Sequence, residues 1–251
     1  MKKLIFQTIW QTLAAMIFLA MVWVYLYFAA GNELLVPSLL DSLIKMGELL
    51  SNSAFWLGMG MSLLRALSAF AISFIFALVF AIIAYLYPTF ARFFAPVVSV
   101  FRSLPVLAIM LILLSVLGAG EAPVAVAFLS LFPMLYTAIL SALSEIDTEV
   151  IEISRVHGAS VWRCIFDIYL PLSSPYILRE VGASLSFSLK VIVSAEVLAN
   201  TAKSLGGMMQ EAKIYAEMPQ LFALVFFTFL VGLLMELSVG LLANAVEKKV
   251  K

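Results

Sequence analysis

The sequence predicts an all-α polytopic membrane protein with six transmembrane helices. Of the 251 residues, 64% are hydrophobic and only 12% are charged, and the mean hydropathy is +1.12. A soluble domain carries about 25% charged residues, so this chain has too little polar surface to cover a soluble globule. Its apolar runs are long and do not alternate with polar residues, which excludes a β-barrel and leaves helices as the spanning form.

The first apolar run covers residues 9–30 and follows the basic start Met1-Lys2-Lys3. It is longer than the apolar region of a signal peptide, which is about 7–15 residues, so we expect an uncleaved N-terminal transmembrane helix over 1–30. Residues 31–55 form the next segment. Its sequence "PSLLDSLIKMGELL" predicts an external loop that carries a short amphipathic helix, with Pro37 in the first turn.

A core of five further spans is expected over residues 56–245. The apolar runs that define them cover about 56–87, 106–118, 124–143, 177–198 and 221–243. The proline-containing stretch 87–105 predicts a connection at the membrane surface, and the break "AGEAP" (119–123) separates the third and fourth spans. Residues 200–220 form a polar connection, and residues 246–251 form a basic tail.

The distribution of basic residues predicts the orientation. With six spans both termini lie on one side, which carries ten Lys and Arg residues, against three on the other side. By the positive-inside rule the termini and the loop 144–175 are therefore cytosolic. The net charge is zero, which gives no sign of a nucleic-acid partner, and the single Cys164 is expected to be reduced.

Loop 144–175 contains a polar segment, "EISRVHGASVWRCIFDIYLP" (152–171), in an otherwise apolar chain. Asp147 is a good N-cap for a helix over 148–157, and Gly158 can end it in a left-handed conformation. Ser160 can cap a second short helix, and Pro171 separates that helix from the fifth span. The residues predict a helix–Gly–helix element at the surface. On this evidence alone, an ordinary amphipathic helix resting on lipid headgroups remains an alternative.

The spacing of residues within this polar segment resembles that of the signature loop of bacterial ABC importer permeases. That signature is Glu-Ala-Ala, three residues, Gly, nine residues, then Ile-x-Leu-Pro. Five positions match in register, namely Glu152, Gly158, Ile168, Leu170 and Pro171, with Ile153 and Ser154 in place of the two alanines. The likeness extends over about residues 30–245. The pairs Ala195-Glu196 and Leu205-Gly206 are similar to the branch of the family that handles nitrate, sulfonates and taurine.

The resemblance implies a type I importer permease (the MetI-like fold) in the bacterial inner membrane. It also implies a homodimer, ABC ATPase subunits on the cytosolic coupling helices, and an external substrate-binding protein. The coupling residues it implies are Glu152, Ile153, Ser154, Arg155, Gly158, Ala159, Arg163, Ile168, Leu170 and Pro171. Arg155 and Arg163 have two interpretations, as contacts to the ATPase or as positive-inside charges without a partner.

No G-x-x-x-x-G-K-[ST] motif is present, so ATP and magnesium are expected to be used by the partner subunit and not by this chain. The single His has no ligand-spaced partners for a metal site. We expect no catalytic residue, cofactor or bound metal. An intramembrane enzyme is excluded for the same reasons. A gradient-driven secondary transporter of a small solute remains the alternative, although it would need charged or broken helices in both halves of the chain.

Two charged residues fall inside the fifth predicted span. Lys190 and Glu196 are six residues apart, which places them roughly 120° apart around a helix, so they are not expected to pair. Near mid-span, Lys190 either lines the translocation path and attracts an anionic or polar solute, or pairs structurally. Glu196, near the external end, has the same two interpretations. Position 187, which is occupied by Phe187, is also expected to line the path. A hydroxyl group next to this position would belong to Ser186 or Ser188.

Two more charged residues lie in other predicted spans. Arg65 is near the external end of the second span and is expected to snorkel to the surface. Glu236 in the last span is a candidate partner for either Lys190 or Arg65.

Overall fold

The structure, a computed structural model, describes residues 2–145, 161–164, 167 and 169–250, and the regular elements in these ranges are all helices. In chain order they are α1 (Lys2–Ala30), α2 (Leu39–Leu50), α3 (Ser53–Leu86), α4 (Pro88–Ser103), α5 (Val106–Ser144), α6 (Val161–Cys164), α7 (Leu170–Ala199), α8 (Leu205–Ile214) and α9 (Met218–Val250). The predicted all-helical class is confirmed.

Four helices in the described ranges are long and apolar enough to cross a membrane: α3, α5, α7 from Pro171 onwards, and α9 up to residue 246. Residues 17–30 of α1 form a shorter apolar helical stretch. The six predicted apolar segments correspond to α1, α3, the two halves of α5, α7 and α9.

Helix α5 is a hairpin of two legs that meet at Gly118. Gly118 has φ 77° and ψ 176°, a conformation that only glycine adopts readily. Met110 and Val126 belong to one buried cluster, although a continuous helix would hold them about 24 Å apart. The chain therefore reverses at Gly118. The sequence predicted the break at 119–123, but the helix has already resumed at residue 119, and the break is this single glycine.

A stripe of small residues on α3 allows its neighbours, α5 and α7, to pack closely against it. The buried members are spaced three or four residues apart, which places them on one helix face: Ala66, Ala69, Ser73, Ala77, Ala81 and Ala84. Small side chains let two helix backbones approach closely. In a membrane such packing holds helices together, because lipid is as apolar as the side chains and burial of apolar surface gives no driving force. Larger residues such as Ile75 and Phe76 are exposed on the outer side of α3.

The segment predicted as a surface connection forms α4. Pro88 occupies the first helical position, where its missing N–H costs nothing. Aromatic rings then fix α4 against its neighbours: Phe94 packs on Phe80 of α3 at a centroid distance of 4.9 Å and on Tyr136 of α5 at 5.5 Å. The sequence predicted a surface connection from the prolines of this stretch, and the first of them, Pro88, starts a helix.

The amphipathic segment after the first span contains α2, capped by Ser38, whose Oγ accepts a hydrogen bond from the Asp41 N–H at 3.0 Å. Pro37 therefore precedes the helix and is not in its first turn. The indole N–H of Trp23 on α1 donates to the Pro37 carbonyl at 3.1 Å, and its ring packs on Phe222 of α9 at 5.3 Å. These contacts join α1 and the α2 segment to α9.

Candidate functional site

The two ends of the bundle differ in structure. We call the end at which α5 ends and α7 begins the loop end, and the α8 end carries α2 and α8. Between these ends the first leg of α5, its second leg and α7 surround two clefts. Of the charged residues that the sequence placed inside the spans, Arg65 and Glu196 lie at the α8 end and Lys190 lies at one of the clefts.

A buried ion pair lies at the α8 end. Arg65 of α3 donates to Glu196 of α7 at 2.8 Å, and the Glu196 side chain is fully buried. Ser62 Oγ donates to the other carboxylate oxygen at 2.6 Å, and the backbone N–H of Gly206 donates to the same oxygen at 3.2 Å. A carboxylate with this many donors and an opposite charge is fully compensated in a low-dielectric interior.

Glycines bring the start of α8 into contact with this pair. A Cβ on Gly206 would lie 2.4 Å from the Glu196 Cβ and 2.5 Å from the Val193 carbonyl oxygen. The N–H of Leu205 donates to Ser62 Oγ at 2.9 Å, so α3 also holds the first residue of α8. The Leu205-Gly206 pair noted in the sequence is thus the point at which α3, α7 and α8 meet.

The ion pair corrects two predictions. Arg65 does not snorkel, because its guanidinium is bound by Glu196 and its side chain is only 15% exposed. Glu236 is not the partner of Arg65 or of Lys190; it is exposed, and the two ion pairs within the described ranges are Arg65–Glu196 and Lys45–Glu48. Glu196 is positioned for structural compensation of charge and does not line either cleft.

The first cleft, which we call the lysine cleft, has a volume of about 300 Å³ and lies between the first leg of α5 and α7. Lys190 lines it and is exposed, and Ser194 lies one turn further along α7. Within the described ranges no carboxylate lies within ion-pair distance of Lys190. The Lys190 Cε also lies 4.0 Å from where a Cβ on Gly232 would be, so the stem rests beside α9.

The second cleft, the arginine cleft, has a volume of about 320 Å³ and lies closer to the loop end. Arg102, in the last turn of α4, is exposed and lines it. Ser130 and Thr137 of α5 also face this cleft, but their hydroxyls already donate to backbone carbonyls in their own helix. Sequence reasoning did not place Arg102 in a cleft, because its nearness to α5 and α7 depends on the hairpin.

Position 187 lies between the two clefts. The Phe187 ring lines both of them, together with Val106 and Val126. The flanking residues Ser186 and Ser188 are buried, and Ser188 donates to the Ala66 carbonyl at 2.8 Å. Residue 187 therefore lines the clefts with an aromatic ring and supplies no hydroxyl group.

The described part of the loop end is anchored to α3. Tyr85 Oη donates to Tyr169 Oη at 3.0 Å, and the two rings pack at 5.0 Å. Tyr169 and Cys164 are buried, and Arg163 is exposed. Pro171 is the second residue of α7, so it starts this helix where the sequence predicted a break. The exit from loop 144–175 is thus fixed to the bundle.

Most of the predicted coupling residues lie outside the described ranges: Glu152, Ile153, Ser154, Arg155, Gly158, Ala159 and Ile168. Arg163, Leu170 and Pro171 lie within them. The predicted second short helix overlaps α6 (Val161–Cys164).

Sequence comparison identifies the family. The profile of the binding-protein-dependent transport system inner membrane component matches residues 73–251. The chain belongs to this family. A probable ABC transporter permease of Brucella melitensis biotype 1 is 30% identical to it over 213 residues, which is 84% of this chain and 86% of that protein. The taurine transport system permease of Escherichia coli K12 is 25% identical over 64% of this chain and 58% of that protein.

Solved structures agree on the fold of this permease. The inward-facing MetNI methionine ABC transporter matches with a TM-score of 0.68 at 18% identity, covering 76% of this chain and 97% of that chain. An amino acid ABC transporter matches with a TM-score of 0.60 at 17% identity over 76% of this chain and 92% of that chain. The predicted MetI-like permease fold is confirmed. The chain is the membrane component of an ABC importer, and ATP hydrolysis belongs to a separate subunit.

Proposed function

We propose that two copies of this permease form the translocation path for a small polar or anionic solute, which an external substrate-binding protein delivers. The observation that carries the proposal is Lys190, an exposed cation near the middle of a membrane-length helix, beside a cleft to which no described residue contributes a carboxylate. An intramembrane cation is costly and is usually retained where it faces a path or cavity. The relative named for taurine transport is consistent with a small charged solute.

The proposed transport cycle is driven from the loop end. Residues 144–175 would form the coupling loop, with Glu152, Gly158 and Arg163 at the ATPase surface and Pro171 at the start of α7. The Tyr85–Tyr169 contact supports this arrangement, because it joins the exit of the loop to α3. A rigid connection can pass the displacement of a docked ATPase to the helices that line the clefts, whereas a loose one would absorb it.

The proposed orientation places both termini and the loop end in the cytosol and the α8 end outside, in the inner membrane of a bacterium. The basic residues Arg92, Arg102, Arg163 and Arg179 would then lie on the inner side. The domain division is 1–30 for the first helix, 31–55 for the external segment, 56–245 for the core with the coupling loop, and 246–251 for the tail.

ATP hydrolysis tests the coupling. The permease would be co-expressed with the ATPase and the binding protein encoded beside it, and hydrolysis would be measured in lipid vesicles with and without the binding protein. We expect the ATPase to co-purify and the binding protein to stimulate hydrolysis. Gly158→Val should loosen the ATPase or abolish stimulation, because a side chain there would hold the two subunits apart.

Gly47→Val is the matched control, because Gly47 is exposed, has open space around its Cβ position and lies on α2 at the opposite end. It should leave both the association and the stimulation unchanged. If the permease purifies alone and its uptake follows an ion gradient, it is a secondary transporter and the proposed coupling is wrong.

A further inference from the structure

The lysine cleft and the arginine cleft share a wall. Val106, Val126 and Phe187 line both of them, so the space beside Lys190 continues past one aromatic ring to the space beside Arg102. The helices set the order along this route. Ser194 and Lys190 lie towards the α8 end. Phe187 lies one helical turn nearer the loop end on α7, and Arg102 lies nearer still to the loop end.

Among the described residues, one charged side chain lines each cleft, and both charges are positive. No Asp or Glu lines either cleft within the part of the chain that the structure describes. The remaining lining is almost entirely apolar. A cation in a cleft with low-dielectric walls and no counter-charge attracts anions, because the walls focus its field instead of screening it.

The hydroxyl groups in the clefts do not provide the recognition. Ser194 donates to the Lys190 carbonyl at 2.8 Å, Ser130 donates to the Val126 carbonyl at 3.0 Å, and Thr137 donates to the Pro133 carbonyl at 3.0 Å. Because each hydroxyl proton is already donated to a backbone carbonyl, these hydroxyl groups can act towards a solute in the clefts mainly as acceptors. The ammonium and the guanidinium are the groups left to bind a negative charge.

We propose that the two clefts form an anion track with two stations, Lys190 first and Arg102 second, separated by the Phe187 ring. The inference rests on the proposed function and narrows it to small organic anions, such as short carboxylates or sulfonates, whose apolar part contacts the cleft walls. Arg102 is the second substrate-binding residue, and Phe187 is the constriction that an anion passes between the two cations. Two moderate sites in series allow release, which one deep site would prevent.

Thiol labelling with reagents of opposite charge tests the proposal. The chain has a single Cys, the buried Cys164, so Cys164→Ser gives a background without cysteine. Ser194→Cys or Ser130→Cys then places one thiol beside each station. The permease is assembled with its ATPase in lipid vesicles, and two probes are applied: sulfonatoethyl methanethiosulfonate, an anion, and trimethylammonioethyl methanethiosulfonate, a cation of similar size. The readout is the ratio of the anion rate to the cation rate.

We expect Lys190→Met to lower this ratio at position 194 at least about fivefold, since a unit charge a few ångströms away changes the local reagent concentration by that order. Arg102→Met should do the same at position 130. Arg92→Met is the matched control: it removes the same charge from the same helix, its Cα lies about 15 Å along the helix axis from that of Arg102, and Arg92 lines neither of the two clefts. It should leave both ratios unchanged.

Phe187→Ala tests the constriction. With the reagents added at the face that carries the α8 end, it should raise the anion rate at position 130 more than the rate at position 194. An equal effect at both positions would overturn the placement of Phe187 between the stations.

The remaining outcomes separate this inference from the proposed function. Ratios that do not respond to Lys190→Met or Arg102→Met, in a complex whose ATPase is still stimulated by the binding protein, would overturn the track and leave the permease role intact. A response at position 194 alone would overturn the second station. If no ATPase associates, the proposed coupling fails, and the charge dependence of labelling in the permease alone still decides whether the track exists.

Discussion

Two charged residues on one helix, α7, have opposite environments. Glu196 is fully buried and bound by Arg65, Ser62 and the Gly206 backbone. Lys190, six residues earlier, is exposed to a cleft and has no carboxylate within ion-pair distance in the described ranges. A charge that is buried needs an opposite charge, and its compensation stabilises the fold. A charge that is left accessible without one is available to a ligand, so the environment of a charge separates structure from function here.

The largest effect on stability is expected from Glu196→Gln. It leaves the guanidinium of Arg65, whose side chain is only 15% exposed, without a counter-charge. Breaking a buried pair in this way costs about 3–5 kcal/mol. The midpoint of thermal unfolding of the purified permease should fall clearly. Arg65→Met combined with Glu196→Met should cost less than the two single changes added together, and strict additivity would contradict the direct pairing.

Gly206→Ala should have the next largest effect. Its Cβ would lie within 2.6 Å of three atoms of α7, two of which belong to the backbone and cannot rotate away. Overpacking of this kind costs about 1–3 kcal/mol, seen as a lower midpoint of thermal unfolding. Gly60→Ala is the matched control, because Gly60 lies within α3 and has open space around it. This control should be neutral or slightly stabilising, and an equal loss in both variants would show that the loss does not come from the contact between Gly206 and α7.

Tyr85→Phe should have a smaller effect. It removes the hydroxyl that donates to Tyr169 at 3.0 Å but keeps the ring contact. A neutral hydrogen bond contributes about 1 kcal/mol, so the unfolding midpoint should fall slightly. Tyr169→Phe removes the acceptor of the same bond, so the double variant should lose less than the sum of the two single losses. Additive losses would mean that the two hydroxyls act separately.

The smallest effect on stability is expected from Lys190→Met. Because the ammonium group has no carboxylate partner among the described residues, its removal should change stability by less than about 0.5 kcal/mol. Solute uptake by the assembled transporter should fall in the same variant. An unfolding midpoint lowered as much as in Glu196→Gln would show that Lys190 is structural, and the contrast along α7 would be lost.

Local features of the sequence predicted the helical segments, whereas two residues that cap them were not singled out although asparagine is typical of both positions. Asn52 caps α3 with its side-chain oxygen, and Asn200 ends α7 in a left-handed conformation with φ 49°. Two segments were predicted as connections and are partly helical. α4 is held by aromatic rings from α3 and α5, and α8 is held by Ser62 and Glu196, which are distant in the chain. Packing partners of this kind leave no local pattern.

The sequence by itself determined the membrane class, the six apolar segments and the signature spacing that identifies an importer permease. The membrane class and the apolar segments depend on composition and on short-range periodicity, which a linear chain displays directly, and the signature spacing identifies the family by resemblance. Only the tertiary structure decided which charges are paired. Arg65 meets Glu196 across 131 positions, and Arg102 reaches the route of Lys190 only because α5 reverses at Gly118. A charge is compensated by groups that are close to it in space. Residues that are remote in the chain come close only when the helices pack together.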